Sequence, residues 1–160
     1  MDSAYETEDL SKVENGDEDD RKNNSLILAT LHGNIEVVKY LIEQGGANIE
    51  ARNNFGDTSL HIASMYGKIE VVKYLVEQGG ANVEARNDYG NTSLYYASMH
   101  GHFEVVKYLV EEGRANVEDR DYIGRSFTYF LTKDLQKEIE KIVEEDLQKR
   151  REMIKSCRTK

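Results

Sequence analysis

Four histidines, a single cysteine and one acidic run are the places where this 160-residue chain could do chemistry. His100 and His102 flank Gly101, and two imidazoles that close could share a metal ion. A closed site needs three or four ligands, and no third one stands nearby. The run "GDEDD" (16–20) does not fit the ligand spacing of a calcium loop and reads as solvated acid. Cys157 has no second cysteine to pair with and no histidine set to activate it. It stands fourth from the end, the prenylation position, but "CRTK" puts Arg158 and Thr159 where aliphatic residues are wanted. No phosphate loop is present. The residues point to no catalytic centre, no metal and no cofactor, so function is expected in surface recognition.

Charge narrows the class of partner. The chain carries 30 acidic and 21 basic side chains, a net −9. Residues 1–22 hold a net −6, residues 149–160 a net +5, and the 126 residues between them a net −8. Nucleic-acid affinity rests on neutralising phosphates with Lys and Arg, so this acidic body argues against such a partner. The basic end is expected to be solvated, with an acidic surface or nuclear import as its other uses. No apolar run approaches the roughly 18 residues of a membrane span, and the N-terminus is acidic where a secretory signal would be basic and then apolar. These signs favour a cytoplasmic protein, with the nucleus open to it, and no membrane partner.

The elements that must position a recognition surface are written as near-copies. Gly33, Gly67 and Gly101 lie 34 residues apart. Segments 33–66 and 67–100 share 25 of 34 positions, and 67–90 and 101–124 share 16 of 24. Such a period signals stacked units rather than one globular core. In "EVVKYLV" (70–76) Val71, Val72, Leu75 and Val76 fall on one helical stripe. "GG" follows, and because the third copy reads "EEGRAN", Gly45, Gly79 and Gly113 are expected to be the left-handed C′ residues, with the second glycine as slack. An extended stretch then ends in a turn at Gly90. Thr58 and Thr92 are placed to N-cap the next helix, whose Leu60 and Ala63 face inward. Tyr40, Tyr74 and Tyr108, identical in all copies, are expected to pack between units. One unit cannot bury its own stripe and needs a neighbour on each side.

Residues 56–86, "GDTSLHIASMYGKIEVVKYLVEQGGANVEAR", resemble the ankyrin repeat consensus, with its T-P-L-H-x-A opening, G-H-x-E-x-V-x-x-L-L middle and G-A-x-V-N-A hairpin. The resemblance covers about 23–145. It implies an all-α ankyrin-repeat solenoid of helix-turn-helix units with protruding β-hairpin loops. Units are expected at about 23–57, 58–91, 92–125 and 126–145, the last a degenerate C-terminal cap. Three departures stand out. Ser59 and Ser93 replace the consensus proline, the second glycine lengthens the unit to 34, and Tyr95 takes the place that His61 keeps, which disturbs the hydrogen bonding expected there.

The resemblance also implies a non-catalytic interaction module that binds a protein partner through its concave face, formed by hairpin tips and first helices. Nine positions differ between 33–66 and 67–100. Two are Ile/Val swaps and one is Asn34/Lys68. The other six, 54/88, 55/89, 57/91, 61/95, 62/96 and 66/100, all fall on the hairpin or the first helix. Aromatic and arginine side chains tend to anchor interfaces. The partner-binding candidates are therefore Arg52, Asn54, Phe55, Asp57, Met65 and Tyr66 in one unit. Arg86, Asp88, Tyr89, Asn91, Met99 and His100 follow in the next, and Arg120, Tyr122 and Ile123 in the third. For the arginine column the competing expectation is pairing with Glu50, Glu84 and Asp119.

The ends differ from the middle. Residues 1–22 lack periodicity and are expected to be a disordered acidic tail. "KDLQKEIEKIVEEDLQKRREMIK" runs past the length of a second helix, so 146–160 form a basic helical extension. A monomer is expected. A scaffold or self-associating protein acting through the amphipathic 133–155 helix is the alternative.

Overall fold

A computed structural model describes residues 17–158, with no side-chain description for Arg150, Cys157 and Arg158. The expectations for residues 1–16 and for the Cys157 thiol lie outside the described residues. Six short helices come in three pairs: α1 (Glu18–His32) with α2 (Ile35–Glu43), α3 (Ser59–Met65) with α4 (Ile69–Glu77), and α5 (Ser93–Met99) with α6 (Phe103–Glu111). A 3-10 turn (Phe127–Phe130) and a long helix α7 (Lys133–Arg158) follow. The first helices stack in one row that the 3-10 turn closes; α2, α4, α6 and α7 stack in the second. This is an all-α solenoid, as expected.

Part of the stretch expected to be a disordered tail is helical. Residues 18–22 belong to α1, with Asp17 as N-cap accepting the Asp20 N–H at 2.8 Å. Glu18, Asp19 and Asp20 occupy the first turn, where carboxylates suit the positive end of the helix dipole. Thr58 and Thr92 cap α3 and α5 as expected. The loops between pairs are hydrogen-bonded fingers rather than β-hairpins: among the described residues the only bridge is Arg120 to Ser126.

The second helices end in a way opposite to the sequence expectation. The left-handed residue is the second of each pair, Gly46 (φ 71°), Gly80 (φ 70°) and Arg114 (φ 55°). Past it the Ala47, Ala81 and Ala115 amides turn back to the Leu41, Leu75 and Leu109 carbonyls six residues earlier, at 2.9–3.0 Å, and so satisfy carbonyls that the helix end leaves open. Gly45, Gly79 and Gly113 are glycine for another reason: a Cβ there would stand 2.9 Å from the same leucine carbonyl oxygens.

One apolar cluster runs through the array from Leu26 to Ile142. Val71, Val72, Val105 and Val106 are buried where the stripes meet their neighbours. Tyr74 and Tyr108 pack between units as expected, and each hydroxyl donates to a glutamate of the preceding pair, Glu43 at 2.9 Å and Glu77 at 3.0 Å. Burial, then the facing carboxylate, push both phenols up from their ordinary pKa. Tyr40 departs from the expectation: it is 63% exposed, because no described pair precedes it. Beyond the third pair, Phe127, Leu131, Ile139 and Ile142 close the end of the cluster.

Candidate functional site

Each finger is folded around one Asx side chain. Asn53 Oδ1 accepts the Phe55 and Asp57 N–H groups, both at 2.9 Å. Asn87 Oδ1 accepts those of Tyr89 and Asn91 at 3.0 and 2.9 Å. Asp121 Oδ1 accepts those of Ile123 and Arg125 at 3.0 and 2.8 Å. Two backbone bonds complete the turn, in the second finger Asn87 N–H to Asn91 O at 3.1 Å and Gly90 N–H to Asn87 O at 3.0 Å. These brackets hold the finger tips at a fixed spacing. Sequence reasoning missed these three residues, although their signal, Asn/Asn/Asp recurring every 34 residues, is present in the chain.

The arginine column ties one finger to the next. Arg52 Nη1 donates to its own finger's Gly56 O at 3.0 Å and to Arg86 O, one unit on, at 2.7 Å. Arg86 Nη1 repeats this with Gly90 O and Arg120 O, both at 2.9 Å. Arg120 keeps its own half, to Gly124 O at 3.0 Å. The column's guanidiniums thus donate to backbone carbonyls, and among the described residues the expected acidic pairing is seen for Arg86 with Asp119. Glu50 and Glu84 accept the Asn82 and Asn116 N–H groups of the following unit instead, both at 2.8 Å.

Several positions expected at the surface are internal wiring. Asp57 is fully buried and accepts Asn87 Nδ2 at 2.8 Å, and the same Nδ2 reaches the Tyr96 hydroxyl at 2.8 Å. Met65 is buried, and Asn91 is half-buried with both backbone groups engaged. His61, Ile62, Tyr95 and Tyr96 are all buried too. Differences at 57, 61/95 and 62/96 therefore record how a finger is held, not what it presents.

His61 and Tyr95 show the two ways of holding. The Thr58 N–H donates to His61 Nδ1 at 3.1 Å, so Nε2 carries the proton and donates to Asn91 O at 3.1 Å. Burial drives the imidazole pKa down to about 4 against two backbone bonds that favour the charged form. In the third unit the Tyr95 hydroxyl donates to Asp121 Oδ2 at 2.8 Å, and Arg125 Nε donates to the same oxygen at 2.8 Å. Burial raises the Asp121 carboxyl, but the Arg125 N–H, Tyr95 and the guanidinium outweigh it and hold the pKa near 2. Tyr95 is pushed up to about 12 by burial and by that carboxylate. The disturbance expected from the His-to-Tyr change is a rewiring, not a loss. His102 Nε2 bonds Met65 O at 2.8 Å, and its ring lies 6.4 Å from that of His100.

What remains outward is narrower than the set expected from sequence. Tyr89, Tyr122 and Ile123 are 57%, 71% and 73% exposed at the finger tips. Asn54, Asp88, His100 and Met99 are exposed, while Phe55 and Tyr66 are half-buried. The tips lean on one another: a Cβ on Gly90 (φ 76°) would come within 2.5 Å of the Tyr122 ring. Among the described residues no helix is long and apolar enough to cross a membrane, and no cluster of His, Cys, Asp and Glu could hold a metal.

A family model described as ankyrin repeats, in three copies, matches residues 26–121. That span runs from the middle of α1 to Asp121, the first residue of the third finger. No curated protein matches the chain. Ankyrin repeats generally serve as protein–protein interaction modules and are typically non-catalytic. With a left-handed residue ending each second helix and an Asx-bracketed finger after each pair, the chain belongs to the ankyrin repeat family.

Proposed function

We propose that the protein binds a protein partner along the face made by its finger tips and the ends of its first helices. The observation that carries this reading is the exposure of Tyr89, Tyr122 and Ile123 on tips whose backbones are already fixed. Large side chains held rigid lose little entropy on docking, so they are suited to anchor an interface. Asn54, Asp88, Met99 and His100 extend the surface, with Phe55 and Tyr66 partly within reach. Arg52, Arg86 and Arg120 act through the tips they hold rather than by contact, and Asp57 and Met65 lie beneath them. Residues 126–145 serve as the C-terminal cap in this reading. The match to a largely non-catalytic family supports a binding role without a reaction.

The test compares capture of a partner from extract of the source cells by three folded proteins. These are the wild type, Tyr89→Ala with Tyr122→Ala, and Lys73→Ala with Lys107→Ala on the second helices. A partner held by the wild type and the lysine variant but lost by the tyrosine variant supports the reading. A partner held by all three overturns it.

A further inference from the structure

The C-terminal end of the array is unfinished in a specific way. In the first two pairs, the loop after the second helix is covered by the next unit: Ile49 lies against Gly79, and Glu50 accepts the Asn82 N–H. The equivalent Val117 and Glu118 have no such cover, because α7 continues as a helix where the earlier second helices stop and turn back. Two adjoining grooves of about 300 and 350 Å³ result, sharing Val117 and Val143. Val110, Phe127 and Ile139 contribute apolar floor, and Glu118, Glu140, Glu144 and Asp146 line the rim with one cation, Arg114.

The same chain carries a segment of complementary character. α7 is 26 residues long, about 39 Å, and its apolar face outlasts the body it packs on. Ile139 and Ile142 are buried, while Leu147, Met153 and Ile154, further along the helix, are 44%, 59% and 53% exposed. Charge segregates along it. Residues 138–146 carry a net −4, and residues 147–158 a net +4. A continuous helix cannot bend its far half back into its own groove. An isolated helix of a dozen residues is also marginal in water without something to pack on.

We propose that two copies of the chain associate as a two-fold dimer, each inserting the basic, apolar-striped half of its α7 into the acid-rimmed groove beside the other's α7. An isologous contact needs one surface to carry both complements, and α7 with its groove does. Antiparallel α7 helices set −4 beside +4 twice over. This contact is separate from the finger tips, leaves them free, and is a form of the self-association through the 133–155 helix that the sequence offered beside a monomer.

The experiment is sedimentation equilibrium of the full chain at low and high salt. The wild type is expected at twice its 18.3 kDa mass and to shift toward monomer as salt rises. Ile154→Lys, at an exposed position, is expected to be monomeric with an unchanged circular dichroism spectrum. Glu140→Lys with Glu144→Lys is expected to be monomeric, and adding Lys149→Glu with Arg151→Glu to restore the dimer. A wild type that stays monomeric at all concentrations overturns the proposal. So does a dimer indifferent to Ile154→Lys, or a charge-reversed pair that the second reversal fails to rescue.

Discussion

Two residues decide how the fingers respond to acid and to substitution. His61 is neutral in the folded protein because Nδ1 must accept the Thr58 N–H and because it is wholly buried. Its folded pKa of about 4 lies below the ordinary 6.5, so the unfolded chain binds the extra proton first. Its contribution is whole above about pH 6.5 and drains away as pH falls toward 4, on the order of 3 kcal/mol in all. Urea unfolding across pH 4–7 should therefore show a steeper loss in the wild type than in His61→Gln; equal slopes would remove His61 as the cause. Asn87 makes the second case. It donates to buried Asp57, whereas the positions one unit on are Asn91 and Asp121, so neither register pairs two acids. Asn87→Asp would bury carboxylate against carboxylate and should cost about 2–4 kcal/mol at neutral pH. Adding Asp57→Asn should recover much of that loss, and a double-mutant cycle in chemical denaturation measures it.

The second helices carry the sharpest lesson in what sequence can and cannot reveal. Their apolar stripe was legible because Val71, Val72 and Leu75 must face a neighbour, and spacing alone places them together. The division of labour between the two glycines was not. Both positions hold glycine in the first two copies, and Arg114 in the third suggests that the latter position is free of constraint. The structure shows that it is the strained one. At φ 55° the arginine sits where a Cβ crowds the backbone, a cost of about 1–2 kcal/mol. Arg114→Gly relieves that strain while giving the unfolded chain more freedom, so a net gain of about 0.5–1 kcal/mol is expected. Gly113→Ala, by contrast, drives a Cβ toward the Leu109 carbonyl and should destabilise. Thermal melts of the two single variants should move in opposite directions. The fingers were legible as turns, through Gly90, but not as bracketed turns. An Asx bracket leaves no hydrophobic period, and the variable residues around it read alike whether they face solvent or the core. That ambiguity placed Asp57 and Met65 on the surface and hid Asn53, Asn87 and Asp121.

At the scale of the whole molecule the array is a line of pairs, each touching only its neighbours, and its stability should behave accordingly. Leu75 lies fully buried at the middle of the line and Ile139 at its end, both in the common cluster. Leu75→Ala and Ile139→Ala remove similar apolar groups, each worth about 2–5 kcal/mol, but from different places in the line. Leu75 lies on the middle pair, so its loss weakens the contact on either side and leaves no intact pair large enough to stand alone. Domains of this size hold only about 5–15 kcal/mol in total, so the whole array should unfold at lower denaturant in one step. Ile139 couples only the last helix to the third pair. Its truncation should release α7 first while the two earlier pairs keep their protection. Amide hydrogen exchange of the two variants separates these outcomes. For Ile139→Ala, exchange should rise across 133–146 with α3 and α4 little changed; for Leu75→Ala it should rise throughout. An even rise in both variants would mean the chain folds as one indivisible unit, and that the nearest-neighbour description of this short solenoid is wrong.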